Sequence, residues 1–180
     1  VDKASVRLRE VMDGLSSGFF IGTMTVDGIL TYANRTALEA IGLERKEVLG
    51  QLFVDTPWWR HSEQSRQQLR EAIVKAVKGE VSRFDMQFED VNGRLVTADF
   101  SLNPVFDRKG SVSYLVPSGH DVTERRAAER ALRMKSACHY ALLRAEDETK
   151  LLNDICRIVV EVGGYRMAWV GYAQHDVQKS

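Results

Sequence analysis

Reactive and ligating side chains are few in this chain. Cys138 and Cys156 are its two cysteines, too far apart in sequence for a metal-type pair and without partners for a disulfide framework. His61 carries an imidazole able to ligate a haem iron, but the polar run Ser62-Glu63-Gln64 follows it. His120 falls in an alternating run and reads as a strand residue. His139 lies in a helical pattern, the setting of a phospho-acceptor, yet Tyr140-Ala141-Leu142-Leu143 follows it with neither an acidic neighbour nor a later proline. No Gly-rich phosphate loop, G-x-S-x-G, H-E-x-x-H or zinc-type spacing occurs. The sequence therefore offers no catalytic residue and no metal ligand. Its chemistry is apolar: Trp58 and Trp59 share one loop, and Phe84, Met86, Phe88 and Phe100 stand on strand-like runs. Together they can wall a pocket for a small hydrophobic or aromatic ligand, or they can fill a core completely.

The elements that position these side chains follow from periodicity. Ala4, Leu8, Val11 and Leu15 have the spacing of a coiled-coil seam, which Ser16-Ser17-Gly18 ends. Two apolar runs, Phe19 to Val26 and Ile29 to Asn34, flank Asp27-Gly28 and predict a β-hairpin, because glycine accepts the positive φ of the turn. Asn34 caps a short helix that stops at Gly42, and a second runs from Arg45 to Leu49 and stops at Gly50. From Ser62 to Lys78, Leu69, Ala72, Ile73, Ala76 and Val77 form one apolar face, with charged residues opposite. Period-two alternation then predicts strands through Ser82 to Glu89 and Val96 to Asn103, joined at Asn92-Gly93, and a third over Val112 to Val122. The order predicts an α+β fold in which helices cover one face of five antiparallel strands.

After Thr123, the residues Ala127, Ala131, Met134, Cys138, Ala141 and Ala145 repeat at gaps of four and three. A sustained 3.5-residue repeat is the mark of a coiled coil, though alanine makes the seam marginal. Asp121 and Glu124 have capping-box spacing at the start of this helix. Further on, Leu151, Leu152, Ile155, Ile158, Val159 and Val162 predict a helix ended by Gly163-Gly164, and Met167 to Ala173 an apolar strand.

Composition limits the partners. Of 180 residues, 25 are Lys or Arg and 25 are Asp or Glu, so no basic stripe invites nucleic acid. No apolar run approaches the roughly 20 residues that span a bilayer. The reduced cysteine usage suits a cytoplasmic setting, although the parent can still be membrane-anchored. The chain opens without Met and closes just after an apolar segment, as a piece of a longer protein does.

The stretches Val26-Asp27-Gly28-Ile29-Leu30-Thr31-Tyr32-Ala33-Asn34, Asn103-Pro104-Val105-Phe106-Asp107-Arg108-Lys109-Gly110 and Ser118-Gly119-His120-Asp121-Val122-Thr123-Glu124-Arg125-Arg126, in that order, resemble the PAS family over residues 18 to about 125. The last resembles the family's strand ending of Asp, Ile or Val, Thr, any residue, Arg, then Lys or Arg. The resemblance implies a sensory and dimerisation module of the kind found in kinases, cyclic-di-GMP enzymes and transcription regulators. It implies that Trp58, Trp59 and His61 lie near the ligand cavity, and that Asp121 and Thr123 pass changes to the following helix. Flavin-adduct members need a mid-domain cysteine, whereas both cysteines here lie beyond Thr123; flavin or haem stays an alternative to a small ligand or to none. A second stretch, from Ile155 to Ala173, resembles the start of a GAF domain, of which about 150 residues would be needed. The expected organisation is a helix over 1–17, a PAS domain over 18–122, a signalling helix over 123–148 and an incomplete GAF-like start over 149–180. The expected assembly is a homodimer through its N- and C-terminal helices.

Overall fold

The structure is a computed structural model that describes residues 7, 10–14 and 18–172. The chain divides into two compact units after Thr123. The first unit holds strands β1 (Phe19–Met24), β2 (Leu30–Ala33), β3 (Ser82–Glu89), β4 (Leu95–Phe106) and β5 (Val112–Asp121). Helices α1 (Arg35–Ile41), α2 (Arg45–Val48) and α3 (Glu63–Val77) lie between β2 and β3, with two single turns of 3-10 helix, Phe53–Asp55 and Pro57–Trp59. All ladders are antiparallel, in the order β2-β1-β5-β4-β3. The five-stranded α+β architecture expected from periodicity is therefore present.

Local signals explain these elements. Gly28 turns the first hairpin at φ 83°, a backbone state that side chains with a Cβ rarely adopt. Asn34 caps α1 by accepting from Ala37 N at 3.2 Å, and Gly42 ends it in the left-handed conformation. Ser62 caps α3 through Ser65 N. On the sheet, Met86 and Phe88 of β3 and Val96, Ala98, Phe100 and Leu102 of β4 are buried, while their neighbours Arg83, Asp85, Gln87 and Glu89 are exposed. Strict alternation fixes the register, since a one-residue slip would turn every apolar side chain to solvent. The core fills with Leu69, Ala72 and Ala76 of α3, the two tryptophans and these strand residues.

The second unit holds α4 (Thr123–Leu143) and α5 (Glu148–Glu161), neither of which buries a residue fully. The continuous helix expected to residue 148 is broken: α4 stops at Leu143, and Asp147 caps α5 by accepting from Lys150 N at 2.7 Å. Ala145 of the expected seam therefore lies beyond the helix. Met167 to Tyr172 form no strand, and Ala173 lies outside the described residues. The described residues of this unit contain only helices, so no sheet edge within it can pair with the segment. At the N-terminus Glu10–Asp13 are helical and Val11 is exposed. Ala4, Leu8 and Leu15 of that seam lie outside the described residues. No helix among those described is long and apolar enough to cross a membrane.

Candidate functional site

Three side-by-side strands form the floor of a cavity of about 50 Å³ between sheet and helices. Gly22 of β1, Ala98 and Phe100 of β4, and Pro117 and Gly119 of β5 supply this floor. The walls come from the segment between α2 and α3. Thr56, fully buried, donates its hydroxyl to Phe53 O at 2.6 Å and fixes the tight turn that brings Trp58 and Trp59 inward. Trp58 Nε1 donates to Ala37 O at 3.2 Å, tying the turn to α1. Trp59 stands edge-on to Phe53, Phe88 and Phe100, with ring centroids 5.6, 6.5 and 6.2 Å away. Its own Nε1–H is buried and has no hydrogen-bond partner.

Of the residues singled out in the sequence, Trp58, Trp59, Phe88 and Phe100 line this cavity. Phe84 packs on Phe100 at 5.4 Å, and Met86 is buried in the core, but neither reaches the cavity wall. His61 is exposed, away from the wall. The wall carries no cysteine and no histidine, and its volume is a fraction of the roughly 300–1,000 Å³ of ordinary ligand sites. Among the described residues no three His, Cys, Asp or Glu side chains cluster as a metal site would need.

β5 leads from the cavity to a polar junction. Two residues beyond Gly119, Asp121 accepts from Thr123 N at 2.9 Å through Oδ1, and its Oδ2 faces Arg94 at 3.6 Å. Thr123 Oγ1 in turn accepts from Thr97 N at 2.9 Å, and Val122 N donates to Thr97 O at 2.9 Å. Asp121 thus closes a local turn before the helix instead of sharing a capping box with Glu124. Arg94 is held by Asp90, whose Oδ1 also accepts from Asn92 N and Arg94 N. The Arg94 N–H is the main reason the Asp90 carboxyl sits below its usual range, against an opposing effect of desolvation. Arg94 and Thr97 carry no sequence signal that separates them from ordinary hairpin residues.

A second polar cluster joins the first strands to the N-terminal helical turn. Asn34, fully buried, accepts from Ile21 N at 3.1 Å and from Ala37 N, and donates to Phe19 O at 2.9 Å and Met12 O at 3.3 Å. Asp13 accepts from the Tyr32 hydroxyl at 2.9 Å, Arg35 N at 2.8 Å and Arg45 Nη2 at 2.6 Å. Burial pushes the Asp13 pKa up, but bonds to Arg45, Arg35 N–H and Tyr32 outweigh it and hold the carboxyl below its usual 3.8.

The profile of the family described as PAS fold matches residues 16–127. Hybrid signal transduction histidine kinase D of Dictyostelium discoideum is 35% identical over 119 residues, 65% of this chain and 8% of that protein. Sensor histidine kinase TmoS of Ectopseudomonas mendocina is 28% identical over 143 residues, 75% of this chain and 14% of that protein. The chain thus spans a small part of either relative. Among solved structures, the PAS domain of Bordetella pertussis BvgS superposes with a TM-score of 0.54 at 20% identity, covering 73% of this chain and 95% of that one.

Proposed function

This chain belongs to the PAS family, and from that premise we propose that it is a sensory relay segment of a larger histidine kinase. In this reading a change in the small apolar cavity travels along β5 to Asp121 and Thr123 and biases α4, the signalling helix. One observation carries the reading: Pro117 and Gly119 floor the cavity, and the same strand reaches the junction two residues later. Both curated relatives named above are histidine kinases, which supports that class of parent over a cyclic-di-GMP enzyme. The segment itself carries no catalytic residue in this reading, works in the cytoplasm and dimerises through the Ala127–Ala131–Met134–Cys138–Ala141 face of α4. Ala127 and Ala131 of that face are exposed, whereas Met134, Cys138 and Ala141 are partly covered within the chain. The ligand is small and apolar, because an apolar cavity of this size stays dry and gains from burial of carbon.

A second reading is favoured by the volume itself. About 50 Å³ is roughly a third of an apolar cavity known to hold benzene. A core so nearly filled also suits a domain that spaces and dimerises its neighbours without any ligand. Xenon separates the two, since it is small, apolar and needs no side-chain movement. Under a few atmospheres of xenon, the relay predicts amide shifts at Ala98 and Gly119 and also at Thr97 and Thr123. Shifts confined to the cavity would sink the relay, and no shifts at all would leave the spacer reading.

A further inference from the structure

Helix α1 is only 7 residues long, and it is tied to the rest of the first unit at three separate points. At its start, Arg35 N donates to Asp13 Oδ1 at 2.8 Å, and the Asn34 cap donates to Met12 O at 3.3 Å. In its middle, Ala37 O accepts from Trp58 Nε1 at 3.2 Å, which holds the cavity wall. At its end, Ala40 O accepts from Val91 N at 2.8 Å. Carbonyls in the last turn of a helix lack intrahelical donors, and here the turn between β3 and β4 supplies one. Side chains tighten the same contact, since a Cβ on Gly42 would lie 2.7 Å from Val91 Cγ2. That turn leads on to the output junction. Asp90, beside Val91, accepts from Asn92 N and Arg94 N and pairs with the Arg94 guanidinium, which faces Asp121 at 3.6 Å.

We infer that α1 is a lever with two inputs and one output. A pull on the N-terminal helical turn at Asp13, or a change at the cavity through Trp58, moves Val91 and with it the Arg94–Asp121 contact. A helix of two turns spans about 10 Å and is held by its neighbours more than by its own propensity. It shifts as one body, so movement at one tie reaches the other two. The output end rests on the relay reading of Asp121 and Thr123 given above. The Asp13 input adds to that reading a source of signal that needs no ligand. A competing route runs through β1, because Asn34 also bonds Ile21 N and Phe19 O, and β1 is laddered to β5.

The test cuts the α1 route alone. Val91 holds the second position of a turn closed by Gly93 N donating to Asp90 O at 2.9 Å, a position that favours proline. Val91→Pro therefore removes the N–H that reaches Ala40 O and keeps the turn. On the full chain, the amide shifts caused by Asp13→Ala are compared in the wild-type and the Val91→Pro backgrounds by nuclear magnetic resonance. In the wild-type background Asp13→Ala is expected to shift Arg94 and Thr123 as well as its own neighbours. In Val91→Pro those distant shifts are expected to fall about threefold. Undiminished shifts at Thr123 put the signal on β1 and overturn the inference, as do distant amides that Asp13→Ala leaves unmoved. Coupling is reciprocal, so Val91→Pro alone is expected to shift the Arg35 amide. An unmoved Arg35 also overturns the lever, and it decides alone should Asp13→Ala fail to fold. Xenon tests the cavity arm separately. If it fails to reach Thr123 in the wild-type chain, the relay reading falls with the Trp58 input, while the Asp13 input is judged by its own shifts.

Discussion

Asn34 makes four hydrogen bonds from a fully buried position, two as acceptor and two as donor, and together they tie the N-terminal helical turn, β1 and α1. Replacing it with Ala removes the α1 cap and strands the Ile21 N–H and Phe19 carbonyl without that partner. A loss of roughly 2–4 kcal/mol is expected in urea unfolding, because an orphaned buried group costs more than its bond contributed. Asp13 gives a pH signature. Its folded pKa is depressed, so the unfolded chain binds the proton more readily, and the stability it contributes is full above the ordinary 3.8 and lost as pH falls through the folded value. Asp90 acts in the same direction. The difference between wild type and Asp13→Asn should therefore shrink as urea midpoints are taken from about pH 5 to about pH 2. A constant difference would remove Asp13 from the account.

At the scale of elements, two glycines of the cavity floor should behave oppositely. A Cβ on Gly22 would lie 2.7 Å from the Tyr32 carbonyl oxygen, forcing β1 from β2, and Gly22→Ala should cost about 1–3 kcal/mol. A Cβ on Gly119 meets Phe20 and Ala98 at 3.5 and 3.6 Å, ordinary contact. Gly119→Ala should keep its stability or gain up to about 1 kcal/mol while losing xenon binding, read by urea unfolding and amide shifts. Alternation and turn residues made the strands and short helices legible in the sequence, since each is decided by side chains a few positions apart. Trp58 and Trp59 were expected near the cavity from the family resemblance and their shared loop, not from alternation. Phe20, Pro117 and Gly119 were not, because the sheet order puts β1 beside β5, and no local pattern records a pairing between residues about a hundred positions apart. The polar partners Arg94 and Asp13 escaped because their contacts to Asp121 and Arg45 join separate elements, which no local pattern records. Met167 to Tyr172 misled in the other direction, because an apolar run specifies burial but cannot supply the neighbouring strand.

For the whole molecule, a parallel dimer through α4 would set Cys138 against its copy, whereas Cys156 lies on α5. Mild oxidation should give a disulfide-linked dimer that Cys138→Ser abolishes and Cys156→Ser does not; equal dependence on both thiols would rule out that seam. The C-terminal stretch leaves Met167, Trp169 and Tyr172 at 73%, 77% and 66% exposure. Apolar surface of this kind promotes association, so a chain ending at Gly164 should stay monodisperse at higher concentration in light scattering. The sheet order has one more consequence. β5 is laddered to β1 on one side and to β4 on the other, and it is the strand that feeds α4. Sliding it lengthwise would break both ladders and flip its inward residues to solvent, which no small occupant can drive. A change in twist breaks neither. The output of this domain is therefore expected as torque about the axis of α4, and not as a piston stroke along it.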